Sequence, residues 1–231
     1  LRHFIINTKN YLEASGENLA RLGEAVQFVS RQDAFSKIRF YLAPSAFGIY
    51  SLIEEGASFE VIAQHVDEAS IGSTTGFLVP EIAKSFGAVG SLINHSEHRI
   101  GDEQIEKIVS HFRKIEMISV VCAQDNNEVA KFCRHNPDFI AIEPPDLIGS
   151  GKAVSKVRPD IITSSRASLE ENRGSNSSTK LLCGAGIVDG IDAKLAIELG
   201  AEGILVASGV IKAGDWAGKI TELANGLNDA A

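Results

Sequence analysis

Little in this sequence speaks for covalent or metal cross-linking. Three cysteines, Cys122, Cys133 and Cys183, are scattered along 231 residues. An odd number without close pairing fits neither a disulfide framework nor a zinc site, and no metal is expected. A reducing, cytoplasmic compartment is the simplest expectation. Positive charge is also in deficit: 22 Lys and Arg against 30 Asp and Glu leave a formal net charge of −8. That balance argues against nucleic-acid binding by phosphate neutralisation, which takes a basic face. It leaves the binding of one small phosphate ester open. The chain begins directly with the strand-like run His3-Phe4-Ile5-Ile6. It has no basic region followed by an apolar stretch and a small-residue cleavage site, so no secretory leader is expected. No uninterrupted apolar run reaches the roughly 18 residues of a membrane span, so no membrane partner is expected either.

What is present is an ordinary globular composition, 44% hydrophobic and 23% charged, apolar enough to offset the entropy of ordering. Short apolar runs alternate with amphipathic stretches from end to end. The strands are expected at His3–Asn7, Arg39–Ala43, Val61–Gln64, Ser91–Asn94, Ile118–Ala123, Phe139–Glu143, Lys180–Cys183 and Gly203–Ala207. Most are continuously hydrophobic, as suits parallel strands covered on both faces. Between them, Leu19, Leu22, Val26 and Val29 recur at helical spacing. So do Ile105, Ile108, Val109 and Phe112, and a third stripe is expected from Ile191, Leu195 and Leu199. Eight strand–helix units without a break in composition point to an α/β protein, a single (β/α)8 barrel over residues 1–231. An open doubly wound sheet is the alternative. The polar run Arg173–Thr179 is expected to be a mobile loop before the seventh strand.

In such a barrel chemistry belongs to the carboxyl ends of the strands. The first strand ends in Asn7-Thr8-Lys9, and the fourth in Asn94-His95-Ser96-Glu97-His98-Arg99. The sixth ends in Glu143-Pro144-Pro145, the seventh in Gly184-Ala185-Gly186, and the eighth in Ala207-Ser208-Gly209. Each has a bland reading. Lys9 alone is a surface lysine at a strand end; His95 alone is a satisfied core histidine; one Gly-x-Gly is a tight turn. Glu143 resists that treatment, because a carboxylate closing a buried apolar strand incurs a desolvation cost. A lysine, an imidazole, a carboxylate and two glycine-rich turns on one rim are together much harder to dismiss.

These segments resemble the triosephosphate isomerase family, particularly its short archaeal branch. The resemblance is carried by Asn7-x-Lys9, Gln64-His65-Val66-Asp67, Gly72-x-x-Thr75-Gly76, Asn94–Arg99, Ile142–Gly151, Cys183–Gly186 and Ala207–Val210, so it spans nearly the whole chain. It implies a TIM barrel and the cofactor-free interconversion of dihydroxyacetone phosphate and D-glyceraldehyde 3-phosphate through an enediolate. It implies Glu143 as the base that shuttles the proton, and His95 as the electrophile on the substrate oxygens. The tuning of this pair is a well-known case in that family, so their roles are inherited from the resemblance. Ser96-Glu97 is expected to open a short helix that keeps the His95 imidazole neutral. The resemblance further implies Lys9 as positive charge beside oxyanion and phosphate, Asn7 as its positioner and a substrate hydrogen-bonding group, and Glu97 as a second carboxylate near the lysine. The phosphate would be held mainly by backbone N–H groups at Ile148, Gly149, Gly184, Gly186, Ala207 and Ser208. Pro144–Lys152 is expected to close as a lid. The helices after strands four to six are expected to be short, and the partner to be further copies of the chain, a tetramer or a dimer.

Two other readings remain. A sugar-phosphate epimerase or synthase would keep the glycine-rich turns after strands seven and eight, but has no reason to combine Asn7-x-Lys9, His95 and Glu143-Pro144-Pro145. A retired, non-catalytic barrel would have lost at least one of Lys9, His95 and Glu143.

Overall fold

The apolar runs form the strands of a closed barrel. The structure, a computed structural model, describes residues 1–145, 159–175 and 177–230. The strands are β1 (Arg2–Asn7), β2 (Ile38–Ala43), β3 (Glu60–Ala63), β4 (Gly90–Ile93), β5 (Ile118–Ala123), β6 (Phe139–Ile142), β7 (Lys180–Cys183) and β8 (Gly203–Val206). Each pairs in parallel with the next. Pairing of His3–Ile6 with Gly203–Val206 joins β1 to β8 and completes the ring. The open-sheet alternative is thereby set aside.

Closure explains why the strands carry no polar alternation. Ile5, Tyr41, Ile62, Leu92, Val120 and Leu205 fill the barrel interior. Their neighbours Phe4, Ile6, Phe40, Leu42, Val61 and Val121 face outward, into the layer of helices. Successive side chains on a strand point to opposite faces, so both parities must be apolar. The two clusters are the core, and the interior one separates the two ends of the barrel. At the amino-terminal end the cluster is closed by a buried polar contact: His3 Nδ1 lies 3.1 Å from the Tyr41 hydroxyl, and the ring meets Phe139 edge-on at 4.6 Å. Burial, with help from Lys180 and Arg39, pushes the His3 imidazole down to about 3. Burial likewise pushes the Tyr41 phenol up to about 12.

The helices are α1 (Glu17–Ser30), α2 (Ile49–Glu54), α3 (Pro80–Ser85), α4 (Asp102–Lys114), α5 (Asn126–Phe132), α6 (Pro159–Asn172), α7 (Gly190–Glu198), α8 (Ser208–Ile211) and α9 (Trp216–Asp229). The periodic apolar faces of α1 and α4 are buried as their spacing dictates. In α7 the expected stripe is not the buried one. Ile191 is exposed, and Asp192, Ala193, Ala196 and Ile197 face inward instead. The reason is close backbone packing: a Cβ on Gly226 of α9 would stand 2.0 Å from the Gly190 carbonyl oxygen. With the helices this near, Ala193 and Ala196 take fully buried positions, Ile191 is turned out, and Leu195 and Leu199 are only partly buried. The expectation of short helices after strands four to six holds only for α5, with seven residues; α4 has 13 and α6 has 14.

Four strands end one residue earlier than their apolar runs suggest, before Gln64, Asn94, Glu143 and Ala207. Asn94 leaves the strand with φ +62. Glu143 stays in register without being counted in β6, because its N–H donates to Ala123 O at 2.8 Å. The close of the Arg173–Thr179 loop is tied down: Thr179 is buried and its hydroxyl donates to Pro137 O at 2.6 Å. Among the described residues no helix is long and apolar enough to cross a membrane.

Candidate active site

Lys9 reaches the carboxyl-terminal mouth through a strained turn. The chain leaves β1 at Asn7, whose Oδ1 accepts the Lys9 N–H at 2.9 Å, and Lys9 itself adopts φ +48. A left-handed non-glycine residue costs about 1–3 kcal/mol, so its surroundings must hold it there. Gln64, just past β3, supplies the restraint. Its Nε2 lies 2.8 Å from Lys9 O, 3.1 Å from Thr8 Oγ1 and 3.0 Å from Ala43 O. The ammonium ends 2.7 Å from Glu97 Oε1.

A second left-handed residue, Asn94, carries His95 and Glu97 into the same mouth. Its Nδ2 donates to Cys122 O at 3.0 Å and its Oδ1 accepts the Ile100 N–H at 3.0 Å, so the loop is pinned at both ends. Ser96-Glu97 does not open a helix. It forms a turn, closed by the His98 N–H on His95 O at 2.8 Å. The turn nevertheless sets the state of the imidazole: the Glu97 backbone N–H donates to His95 Nδ1 at 3.2 Å. A nitrogen that accepts carries no proton, so the ring in this arrangement is neutral with its hydrogen on Nε2. Nε2 points toward Glu143, 3.4 Å from Oε1.

Glu143 follows β6 and is 3% exposed. Its Oε2 has no hydrogen-bond partner among the described residues. A buried carboxylate oxygen left open in this way is costly unless something else is to occupy the space before it. Behind it lies Cys122, whose thiol is pushed well up by burial and by the Glu143 charge, and so stays protonated. Gly184 after β7 closes against the same carboxylate. A Cβ there would stand 2.5 Å from Glu143 Cγ, so only glycine lets the strand end lie so near the side chain. The Gly184 N–H is already committed to Ile142 O at 2.9 Å. Gly186 turns the chain with φ +67. After β8, Ser208 and Gly209 begin α8, and N–H groups in the first turn of a helix have no intrahelical acceptor.

Asn7, Lys9, His95, Glu143, Gly184, Gly186, Ala207 and Ser208 line one cleft. Glu97 borders an adjoining depression that shares Asn7, Lys9 and His95 with it. Ile148, Gly149 and the lid from residue 146 to residue 152 lie outside the described residues. Gln64, Asn94 and Cys122 were assigned no role from sequence. The available signal was a polar residue closing an otherwise apolar strand, which Gln64 and Asn94 both show. Among the described residues no group of three or more His, Cys, Asp or Glu side chains is placed to hold a metal ion.

The arrangement offers a buried carboxylate, an imidazole N–H donor, an ammonium and the N–H groups of a helix's first turn around one cleft. Comparison with known proteins agrees with that chemistry. The chain is 46% identical to the triosephosphate isomerase of Cenarchaeum symbiosum over 97% of either protein. It is 40% identical to that of Methanothermus fervidus, over 95% of this chain and 96% of the relative, and 41% identical to that of Archaeoglobus fulgidus, over 95% of each. A family profile described as triosephosphate isomerase matches residues 3–224. On sequence, fold and the convergence of these side chains, the chain belongs to the triosephosphate isomerase family.

Proposed function

We propose that this chain interconverts dihydroxyacetone phosphate and D-glyceraldehyde 3-phosphate, as in glycolysis and gluconeogenesis, by moving one proton between adjacent carbons. The observation that carries the reading is the approach of His95 Nε2 to within 3.4 Å of Glu143 Oε1 at a single cleft. Glu143 takes the proton from one carbon and returns it to the next. His95, donating from Nε2, hydrogen-bonds the carbonyl oxygen and then the hydroxyl oxygen, where negative charge develops in the enediolate. Lys9 adds positive charge beside that oxyanion and the phosphate. Asn7 fixes the turn that presents Lys9 and offers a hydrogen bond to the substrate. Glu97 holds the ammonium in place at 2.7 Å.

The phosphate is received by backbone N–H groups at Gly186, Ala207 and Ser208, with Gly184 providing clearance; the family resemblance adds Ile148 and Gly149, which lie outside the described residues. No cofactor enters the scheme.

The whole chain is read as one (β/α)8 domain, working in the cytoplasm as a homo-oligomer, tetramer or dimer. The cysteines support that compartment, being free and buried. Exposed Phe47, Tyr50, Ile71, Phe77 and Phe86 support the assembly. Tyr50 and Phe86 meet edge-on at 5.7 Å, so two of these segments form one apolar surface. Light scattering on the purified protein tests it, a monomer at micromolar concentration being the contrary outcome. The activity is tested by a coupled assay with each triose phosphate. Turnover of both, lost by orders of magnitude in Glu143→Asp and Lys9→Met with the fold intact, is expected. Turnover of a different sugar phosphate in place of these would retire the reading.

A further inference from the structure

Among the described residues, the mouth of the cleft is poor in free positive charge. Lys9 is the cation at its centre, but Glu97 stands 2.7 Å away and Glu143 adds a second carboxylate deeper in. With histidines counted as neutral, the described charged side chains bordering the cleft and its adjoining depression, Lys9, Glu97 and Glu143, sum to one negative charge. The protein as a whole is also acidic, at −8. A phosphate dianion therefore approaches a mouth that, on these groups alone, repels it.

Lys212 changes that balance. It follows α8 directly, one helical turn beyond Ser208, to whose carbonyl oxygen its N–H donates at 3.0 Å. Its ammonium lies over the face of Tyr11, 4.9 Å from the ring centroid. Tyr11 borders the depression beside Lys9 and Asn10. Lys212 is exposed and makes no ion pair among the described residues. An exposed lysine ordinarily spreads over many rotamers; the aromatic face gives this one a preferred position. That position lies between the loop after β1 and the loop after β8, on the same rim as Ser208.

We propose that Lys212, tethered on Tyr11, is the entry cation that draws the substrate's phosphate dianion to the loop after β8. The inference rests on the reading that Ala207 and Ser208 receive the phosphate. It concerns encounter and not chemistry. A single charge acting on a dianion across about 10 Å of water alters its local concentration by about fourfold at low ionic strength, and the effect fades as the screening length falls below that distance. Preorganised charge of this kind raises association rates with a steep salt dependence.

The test compares the wild type with Lys212→Met, Lys212→Arg and Tyr11→Leu. Readouts are kcat/KM for glyceraldehyde 3-phosphate from about 10 mM to 500 mM ionic strength, and kcat/KM for unphosphorylated glyceraldehyde. Lys212→Met is expected to lose about fourfold in kcat/KM at low salt, to converge on the wild type at high salt, and to leave kcat and the unphosphorylated substrate unmoved. Lys212→Arg restores the wild-type salt profile, and Tyr11→Leu falls between. Equal losses on both substrates would show a structural effect and overturn the proposal, as would identical salt profiles for wild type and Lys212→Met. A separate variant, Ser208→Asp, checks the phosphate reading: saturation by glyceraldehyde 3-phosphate that survives this added negative charge removes the premise itself.

Discussion

Glu97 fixes His95 with its backbone and Lys9 with its side chain. Its N–H donates to His95 Nδ1 at 3.2 Å while its Oε1 takes the Lys9 ammonium at 2.7 Å. One residue in a turn thus sets the tautomer of the imidazole and the position of the ammonium. The main-chain contact survives most substitutions at position 97 and the side-chain contact does not. Effects on proton donation and on charge placement are therefore separable.

Replacement of His95 by Gln keeps an N–H donor but removes the ring that the Glu97 N–H orients. Turnover is expected to fall by about 10²-fold or more, with KM changed much less, because the lost interaction belongs to the transition state. Steady-state kinetics in both directions checks this. A loss seen mainly in KM would place His95 in ground-state binding.

Gln64 touches no reacting atom in this account, yet its amide restrains the left-handed Lys9 turn. In Gln64→Leu the carbonyl oxygens of Lys9 and Ala43 lose their donor. A cost of about 1–3 kcal/mol in stability is expected, along with a drop in kcat from a misplaced ammonium. Denaturant unfolding and kinetics on the same preparation check both parts. A full stability loss with wild-type kcat in the surviving folded protein would deny the positioning role.

Gly184→Ala puts a methyl group 2.5 Å from Glu143 Cγ. Either the carboxylate or the strand end must move. Overpacking of this sort costs about 1–3 kcal/mol, and a base displaced by about 1 Å loses about 10²-fold in rate. Thermal melts and kcat are the measurements, and wild-type kcat is the result against it.

His3 gives the fold an acid-sensitive point far from the cleft. Its pKa is lowered from 6.5 to about 3 in the folded protein by burial, with Lys180 and Arg39 adding to the effect. Between those values the unfolded chain binds a proton that the folded chain does not, so stability rises with pH there. The contribution is complete above about 6.5 and is lost progressively as pH falls toward 3. His3→Gln, which can still face the Tyr41 hydroxyl, is expected to flatten the pH dependence of unfolding between pH 6.5 and pH 4 relative to the wild type. Parallel curves would contradict it.

Much of the architecture was legible because parallel strands buried on both faces must be apolar throughout, and few other elements need such runs. Barrel closure is a different matter. It depends on β1 meeting β8, a pairing with no local signature. The α7 face was misjudged because the spacing of the largest apolar residues was followed, whereas the close approach of Gly190 and Gly226 buries Ala193 and Ala196 and leaves Ile191 exposed. At the cleft, Lys9, His95 and Glu143 stood out as polar side chains ending apolar strands. Their supports did not: the three acceptors of Gln64 and the two contacts of Asn94 are set by tertiary geometry. The helix expected at Ser96-Glu97 is a turn, and the hydrogen bond to His95 Nδ1 does what the helix was invoked to do.

Turnover in deuterated water, with the product read by proton NMR, addresses the central claim most directly: that a buried carboxylate carries a proton between two carbons of one triose phosphate. The wild type is predicted to deliver product bearing solvent deuterium at the carbon that receives the proton, with rate and incorporation both collapsing in Glu143→Asp. Brisk wild-type isomerisation without solvent deuterium, matched by undiminished turnover in Glu143→Asp, would contradict it.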